Sequence, residues 1–391
     1  MSLRRVLLSS LMALLLGCVS SYDPDLVLNS SLVVVSGMIT DLPETQVITL
    51  NRSRSNRDSA NVSTAITNAR VEVIVNGGET VLLSETVPGT YHFPDTFRGQ
   101  VGSRYRLRFR TAEGAQYESS EETMAAVPAV SKAYDQFTLR GPRQTADGTP
   151  IPANDVYIDF TDPGNTRNFY LWRWRLYELQ NWCATCKQGR YIVRDIGPIG
   201  SGPIEVIGCV PDPSLAVSNL FDYTCRSTCW DIFYSSDINV FSDIYANGQN
   251  QVGRKIASIP IYQRDPALIV IEQLSISADA YRYYKLFADQ VQNTGTLADA
   301  PPAPIAGNVK NLADPTENVV GYFSVSSVAV NRYKMDRKNA TTGNYRGLFF
   351  AQNGRNPNVE VLSGQFGAGV PSAICVPGRY RTDQLPPGWN Q

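Results

Sequence analysis

The chain has 391 residues, with 35 basic and 36 acidic side chains, a formal net charge of −1 and one histidine. The near-neutral balance argues against a nucleic-acid partner, which wants a clear basic excess. A lone His92 excludes any metal site built on two imidazoles.

Arg4 and Arg5 precede an apolar run from Val6 to Leu16, broken only by Ser9 and Ser10. A charged start followed by a short apolar core is the pattern of an export leader, too short to stay in a bilayer as a spanning helix. Leu15–Leu16–Gly17–Cys18 resembles the bacterial lipobox, in which a small residue precedes the cysteine that is diacylated and becomes the new N-terminus. The expected leader is 1–17 and the expected lipidation site is Cys18. Loss of Arg4 and Arg5 with the leader takes the formal charge from −1 to −3. Residues 18–29 are polar and aperiodic and read as a tether. Val19 after the cysteine resembles the class of lipoproteins destined for the outer membrane. Asp23 and Asp25 around Pro24 are similar to surface-export signals of Bacteroidota lipoproteins. The expected location is therefore the cell outer membrane, lipid-anchored and facing the exterior.

The length after the tether is more than one core usually organises, so two domains are expected. Over 30–126 the pattern is that of short strands. Ala69–Val75 alternates with period two and runs into Asn76–Gly77–Gly78, a strong hairpin signal. Tyr91–His92–Phe93 reads as a strand with His92 on its exposed side, and Tyr105–Arg110 alternates between an apolar and a basic face. The spacing predicts an antiparallel, Ig-like sandwich. The residues Ala69-x-Val71-x-Val73, Gly89-x-Tyr91 and Gly102-x-x-Tyr105-x-Leu107 resemble the transthyretin-like or carboxypeptidase-regulatory sandwich, which implies a spacer or docking piece.

A boundary falls between Met124 and Val130, and residues 127–391 form a larger β-rich domain. In Phe169–Glu178 the side chains of Tyr170, Trp172, Trp174 and Leu176 share one face, opposite Arg173 and Arg175. Such a row either packs a core, the preferred reading, or stacks on a sugar ring. An insert at about 180–230 holds Cys183, Cys186, Cys209, Cys225 and Cys229, and Cys375 follows far downstream. An even number of cysteines in an exported chain favours disulfides among these six. A four-thiolate zinc site from Cys183, Cys186, Cys225 and Cys229 and a redox Cys183-x-x-Cys186 are the competing readings. Asp237, Asn239, Asp243, Asn247 and Asn250 crowd around Gly248, but their spacing matches no calcium loop, so no metal is assigned. Ser277 reads as the N-cap of one substantial helix, with Asp279 in its first turn. Tyr284, Phe287, Ala288 and Val291 form its apolar stripe, directed at the second sheet, and Gly295 stops it.

The ordered set persuades more than any one motif. Phe160-x-Asp162–Pro163, the cysteine island, Gln273–Tyr281, Gly307–Asn308–Val309, Asp314–Pro315 and Gly321–Tyr322–Phe323 together resemble a Bacteroidota lipoprotein family known only as domain of unknown function 4249. Its members are often encoded beside TonB-dependent receptors. The resemblance implies accessory work in uptake and carries over no catalytic residue. The chain departs from the family's pattern at Cys375, which stands alone where a paired cysteine motif is expected. The expected function is a non-enzymatic surface lipoprotein without a cofactor. It binds a small ligand, glycan or peptide, or partners a receptor barrel. The alternatives are a structural or adhesive envelope protein and a hydrolase using a carboxylate pair such as Asp159 with Asp162.

Overall fold

In the strand Arg104–Arg110 every second residue is buried: Tyr105, Leu107 and Phe109 point inward and the four arginines outward. Period-two alternation of this kind puts one face on a core and the other in water. The outward face is not a free basic strip, because Arg104, Arg106 and Arg108 meet Glu121, Glu118 and Glu72. The neighbouring hairpin turns at Asn76 and Gly77, both with positive φ (51° and 75°), and Gly78 N–H donates to the Val75 carbonyl at 3.1 Å. Two consecutive positive φ values are what a tight hairpin demands.

The computed structural model describes residues 31–56, 59–145, 147–164, 166–195, 205–292, 305–343, 345–360 and 371–390. The expected leader, the expected lipidation site Cys18 and the expected tether lie outside the described residues. The protein is mainly β. Its first unit has two six-stranded sheets, one containing Leu32–Thr40 and Val47–Asn56, the other Arg70–Val75 and Arg104–Arg110. Inward residues of both sheets, among them Val33, Leu50, Val73, Leu107 and Phe109, form one cluster. Each such side chain contributes roughly 1.5–3 kcal/mol through burial.

The sandwich read over 30–126 takes two further strands from far downstream. Leu32–Thr40 pairs in parallel with Val319–Ser326, from Val33↔Val319 to Thr40↔Ser326, and Val309–Asn311 pairs with Gln116–Ser119. Alternation identifies a strand but carries no information about a distant partner. Gly321 is needed at this seam. It has φ +90°, and a Cβ there would lie 1.9 Å from the Val35 carbonyl oxygen.

The second unit stacks a three-stranded sheet (Val130–Thr138, Ala153–Thr161, Asn250–Pro260) on a six-stranded one centred on Phe169–Leu179 and Ala267–Ser275. All nine residues of Ala267–Ser275 are buried, as suits a strand covered on both faces. The aromatic row packs this core: Tyr170 and Trp172 are each 1% exposed, and Trp172 Nε1 donates to Gln273 Oε1 at 2.9 Å. It offers no stacking platform. On the opposite face Arg173 pairs with Glu272, and Arg175 reaches both Glu272 and Glu44 of the first unit.

The helix Ala278–Gln292 starts as expected, with Ala280 N–H donating to Ser277 Oγ at 3.1 Å. Its contacts differ from the stripe expected on the second sheet. It lies across both units: Tyr281 packs on Phe169, while Tyr283 and Tyr284 pack on Tyr322 of the first. The contact face therefore runs through Ala280, Tyr284 and Ala288, one turn apart each. Phe287 falls off that face and stacks on Tyr283 while 41% exposed. The Val291 side chain and Gly295 lie outside the described residues.

Candidate functional site

The six cysteines form three disulfides, Cys183–Cys225, Cys186–Cys209 and Cys229–Cys375. The sulfurs of Cys183, Cys225 and Cys229 lie within 4.8 Å of one another, yet each is already bonded to a cysteine. A bonded sulfur is no thiolate ligand, which sets the zinc reading aside. Cys183 and Cys186 pair outward rather than with each other, which does the same for the redox motif. Cys375 finds its partner in Cys229. The cystines make a small core of their own with Tyr191, Tyr223 and Ala373.

This lobe draws in residues downstream of the insert. Asp222 accepts from the Arg355 guanidinium, from the Asn358 amide at 2.7 Å and from the Thr185 hydroxyl at 2.6 Å. Burial alone would raise its carboxyl, but these three donors hold it below the usual carboxylate range. Glu360 binds Arg190 and accepts from the Tyr223 hydroxyl at 2.7 Å. Burial, with that carboxylate beside it, pushes the hydroxyl up to about 12. Each of these polar groups is spent on holding the lobe together.

A cleft of about 840 Å³ opens elsewhere on the second unit. One wall is a hairpin arm that prolongs the pairing of Val130–Thr138 with Ala153–Thr161. Gly141 N–H donates to Ile151 O and Ile151 N–H to Arg143 O. At its tip, the Asp147 carboxylate accepts from the Thr145 hydroxyl and the Thr149 amide, which hold it below the usual range. The other wall is the short helix Leu348–Asn353. Gly347, which precedes it, donates its N–H to Tyr262 O at 2.8 Å, and Gly354 ends it in a left-handed turn. Leu348 and Phe349 anchor the helix inward, Phe349 against Trp182 at 5.7 Å. Phe350 is left half-buried in the cleft, with the Arg346 guanidinium 4.6 Å from its ring centre. Leu139, Ile151, Ile261 and Tyr262 complete an apolar lining, and Arg143 stands at the rim with Arg346.

The charged groups of the lining are two arginines and Asp147, and apolar walls with this net cationic balance favour a ligand that has a hydrophobic or ring-shaped body and an anionic group. None of these residues stood out in the sequence. The available signals were Asp147–Gly148 as a turn, and Gly347 and Gly354 bracketing six residues with two phenylalanines.

Other residues singled out in the sequence are dispersed. His92 is half-buried rather than exposed, because its strand is flanked on both sides, by Val47 and Ser84. Asp159 accepts the Gly253 amide at 2.8 Å, whereas Asp162 accepts the Tyr170 hydroxyl and the Gly248 amide. The two carboxylates thus serve separate loop contacts. Around Gly248, Asn239 binds the carbonyls of Lys255 and Ile256, Asn250 accepts from Thr161, and Asp243 accepts from the Asn168 amide. Asn239 and Asn250 are thus spent on separate contacts.

Among the described residues no helix is long and apolar enough to cross a membrane. A family described as Domain of unknown function (DUF4249) matches residues 19–332. No curated protein and no solved structure matches the chain. The helical wall of the cleft follows the last matched residue, while the hairpin wall lies inside the match.

Proposed function

The chain belongs to this family of unknown function, and from that premise we propose that it is a lipid-anchored outer-membrane lipoprotein that binds an extracellular ligand without chemically altering it. The observation that carries the reading is the cleft between the 139–152 hairpin and the Leu348–Asn353 helix. The lipobox at Cys18 supplies the anchor and residues 18–29 the reach, so the cleft works at the cell surface. In this reading the protein delivers its ligand, an acidic glycan or peptide, to a TonB-dependent receptor. The first unit acts as the spacer that lifts the cleft from the membrane.

The experiment is a glycan and peptide array probed with the mature chain and with an Arg346→Ala/Phe350→Ala double variant. Both side chains lie on the cleft side of the wall, so the fold is expected to survive. Loss of one guanidinium and one ring is expected to weaken binding by about tenfold or more. A chain that binds no array member, or a variant that binds as the parent does, would sink the reading.

A further inference from the structure

Two aspartates, Asp162 and Asp243, are buried where residues 161–164 and 166–168 meet 243–250, and among the described residues neither has a charged partner. Asp162 is 2% exposed and Asp243 is fully buried. Asp162 accepts from the Tyr170 hydroxyl at 2.5 Å and the Gly248 amide at 3.0 Å, and Asp243 Oδ2 accepts from the Asn168 amide at 2.8 Å. Among the described residues, then, their hydrogen-bond partners are one hydroxyl and two backbone amides, all neutral. Asp243 Oδ1 has no hydrogen-bond partner among the described residues.

Burying a carboxylate without a counter-charge costs several kcal/mol in effective terms, and leaving one of its oxygens unbonded adds about 1–3 kcal/mol. The two carboxylates cross between the same loops: Asp162 Oδ2 takes the Gly248 amide from the stretch after Asp243, and Asp243 Oδ2 takes the Asn168 amide from the stretch after Asp162. Tyr170 is pushed far up, first by burial, then by Asp162, and further by Asp243. The loops themselves are zipped together, with Asp162 N–H on the Gln249 carbonyl, Asp243 N–H on the Asn168 carbonyl, and Gly164 packed against Gly248.

We infer that this junction is a calcium site, with Asp243 Oδ1 and the Asp162 carboxylate as its anionic ligands. The two anionic donors are hard carboxylate oxygens, which suit Ca²⁺ with its about six to eight oxygen ligands and flexible geometry. Mg²⁺ demands a near-ideal octahedron, and zinc prefers nitrogen or sulfur. Bound calcium neutralises the buried pair and fixes the 243–250 loop. That loop holds Ile244 (56% exposed) and Tyr245 (97% exposed) out in solvent. The ligands come from two loops far apart in the chain, which is why no linear calcium motif announces them.

The test is calorimetric titration of the full mature chain with CaCl₂ after chelator treatment and dialysis, paired with thermal scans. One saturable site per chain is expected, half-filled at about 10⁻⁴–10⁻³ M as in other extracellular modules, with a rise in melting temperature. Asp243→Asn should abolish both effects, while Asp237→Asn, exposed in the same region, should keep them. The parent chain alone decides if the Asp243 variant misfolds. Absence of saturable binding up to about 10 mM, roughly ten times the upper end of that range, overturns the proposal. An Asp243→Asn chain that binds as the parent does overturns it equally.

Discussion

Arg337→Met is expected to destabilise the protein by about 3–5 kcal/mol, because it leaves Glu178 charged and unpaired in the interior. Arg337 is 0% and Glu178 3% exposed at the side chain, and the two meet through the two terminal guanidinium nitrogens. The same guanidinium also donates to the carbonyls of Gln263 and Asp265 at 3.3 and 3.1 Å. The pair therefore ties three pieces together: the end of Phe169–Leu179, the segment after Ile261–Tyr262, and the turn that leads to the cleft helix. Arg337 itself sits at φ 54°, a conformation that non-glycine residues hold only when neighbours impose it. The check is denaturant unfolding, where the midpoint should fall with little change in slope. A Glu178→Met/Arg337→Met double variant should recover a large part of the loss, since an apolar pair carries no desolvation penalty. Equal losses in the single and double variants would contradict this account of the pair.

The Cys229→Ser/Cys375→Ser variant is expected to lose about 4–5 kcal/mol, the chain-entropy figure for a very long loop. This disulfide has a sequence separation of 146, against 23 for Cys186–Cys209. On the same logic, removing Cys186–Cys209 should cost less by about 1–2 kcal/mol. The long cystine also holds the C-terminal segment, where Ala373 bonds Thr224 and Arg226 and where Arg381 meets Asp231. Early protease cleavage of residues 371–390 in the double variant, before the rest of the second unit, is the matching kinetic sign. If both cystine knockouts unfold at the same denaturant concentration, loop size is not what sets the stabilisation.

Local chemistry was readable in advance where the cause is local. The Asn76–Gly77 turn, the alternation of Arg104–Arg110, the Ser277 cap and the burial of Tyr170 and Trp172 all follow from neighbouring residues alone. An even cysteine count behind the expected leader pointed to disulfides for the same kind of reason. What escaped depends on encounters between distant segments. The parallel pairing of Leu32–Thr40 with Val319–Ser326 leaves no trace in either strand beyond apolar alternation. Phe287 fits the helical period, but the face that packs was set by Tyr322 arriving from the first unit. The cleft combines a hairpin tip with a six-residue helix too short to show a period. Asp162 and Asp243 look like ordinary loop acids until the two loops are zipped together.

We propose a role worked from a lipid anchor, as the binding partner of an uptake receptor. Its most direct test is affinity capture of the full-length lipidated protein from gently solubilised outer membranes, with partners identified by mass spectrometry and a Cys18→Ala chain carried in parallel. One stoichiometric TonB-dependent receptor is expected with the parent chain, together with loss of the Cys18→Ala chain from washed membranes. Recovery of the parent chain alone, or full retention of the Cys18→Ala chain in washed membranes, would contradict it.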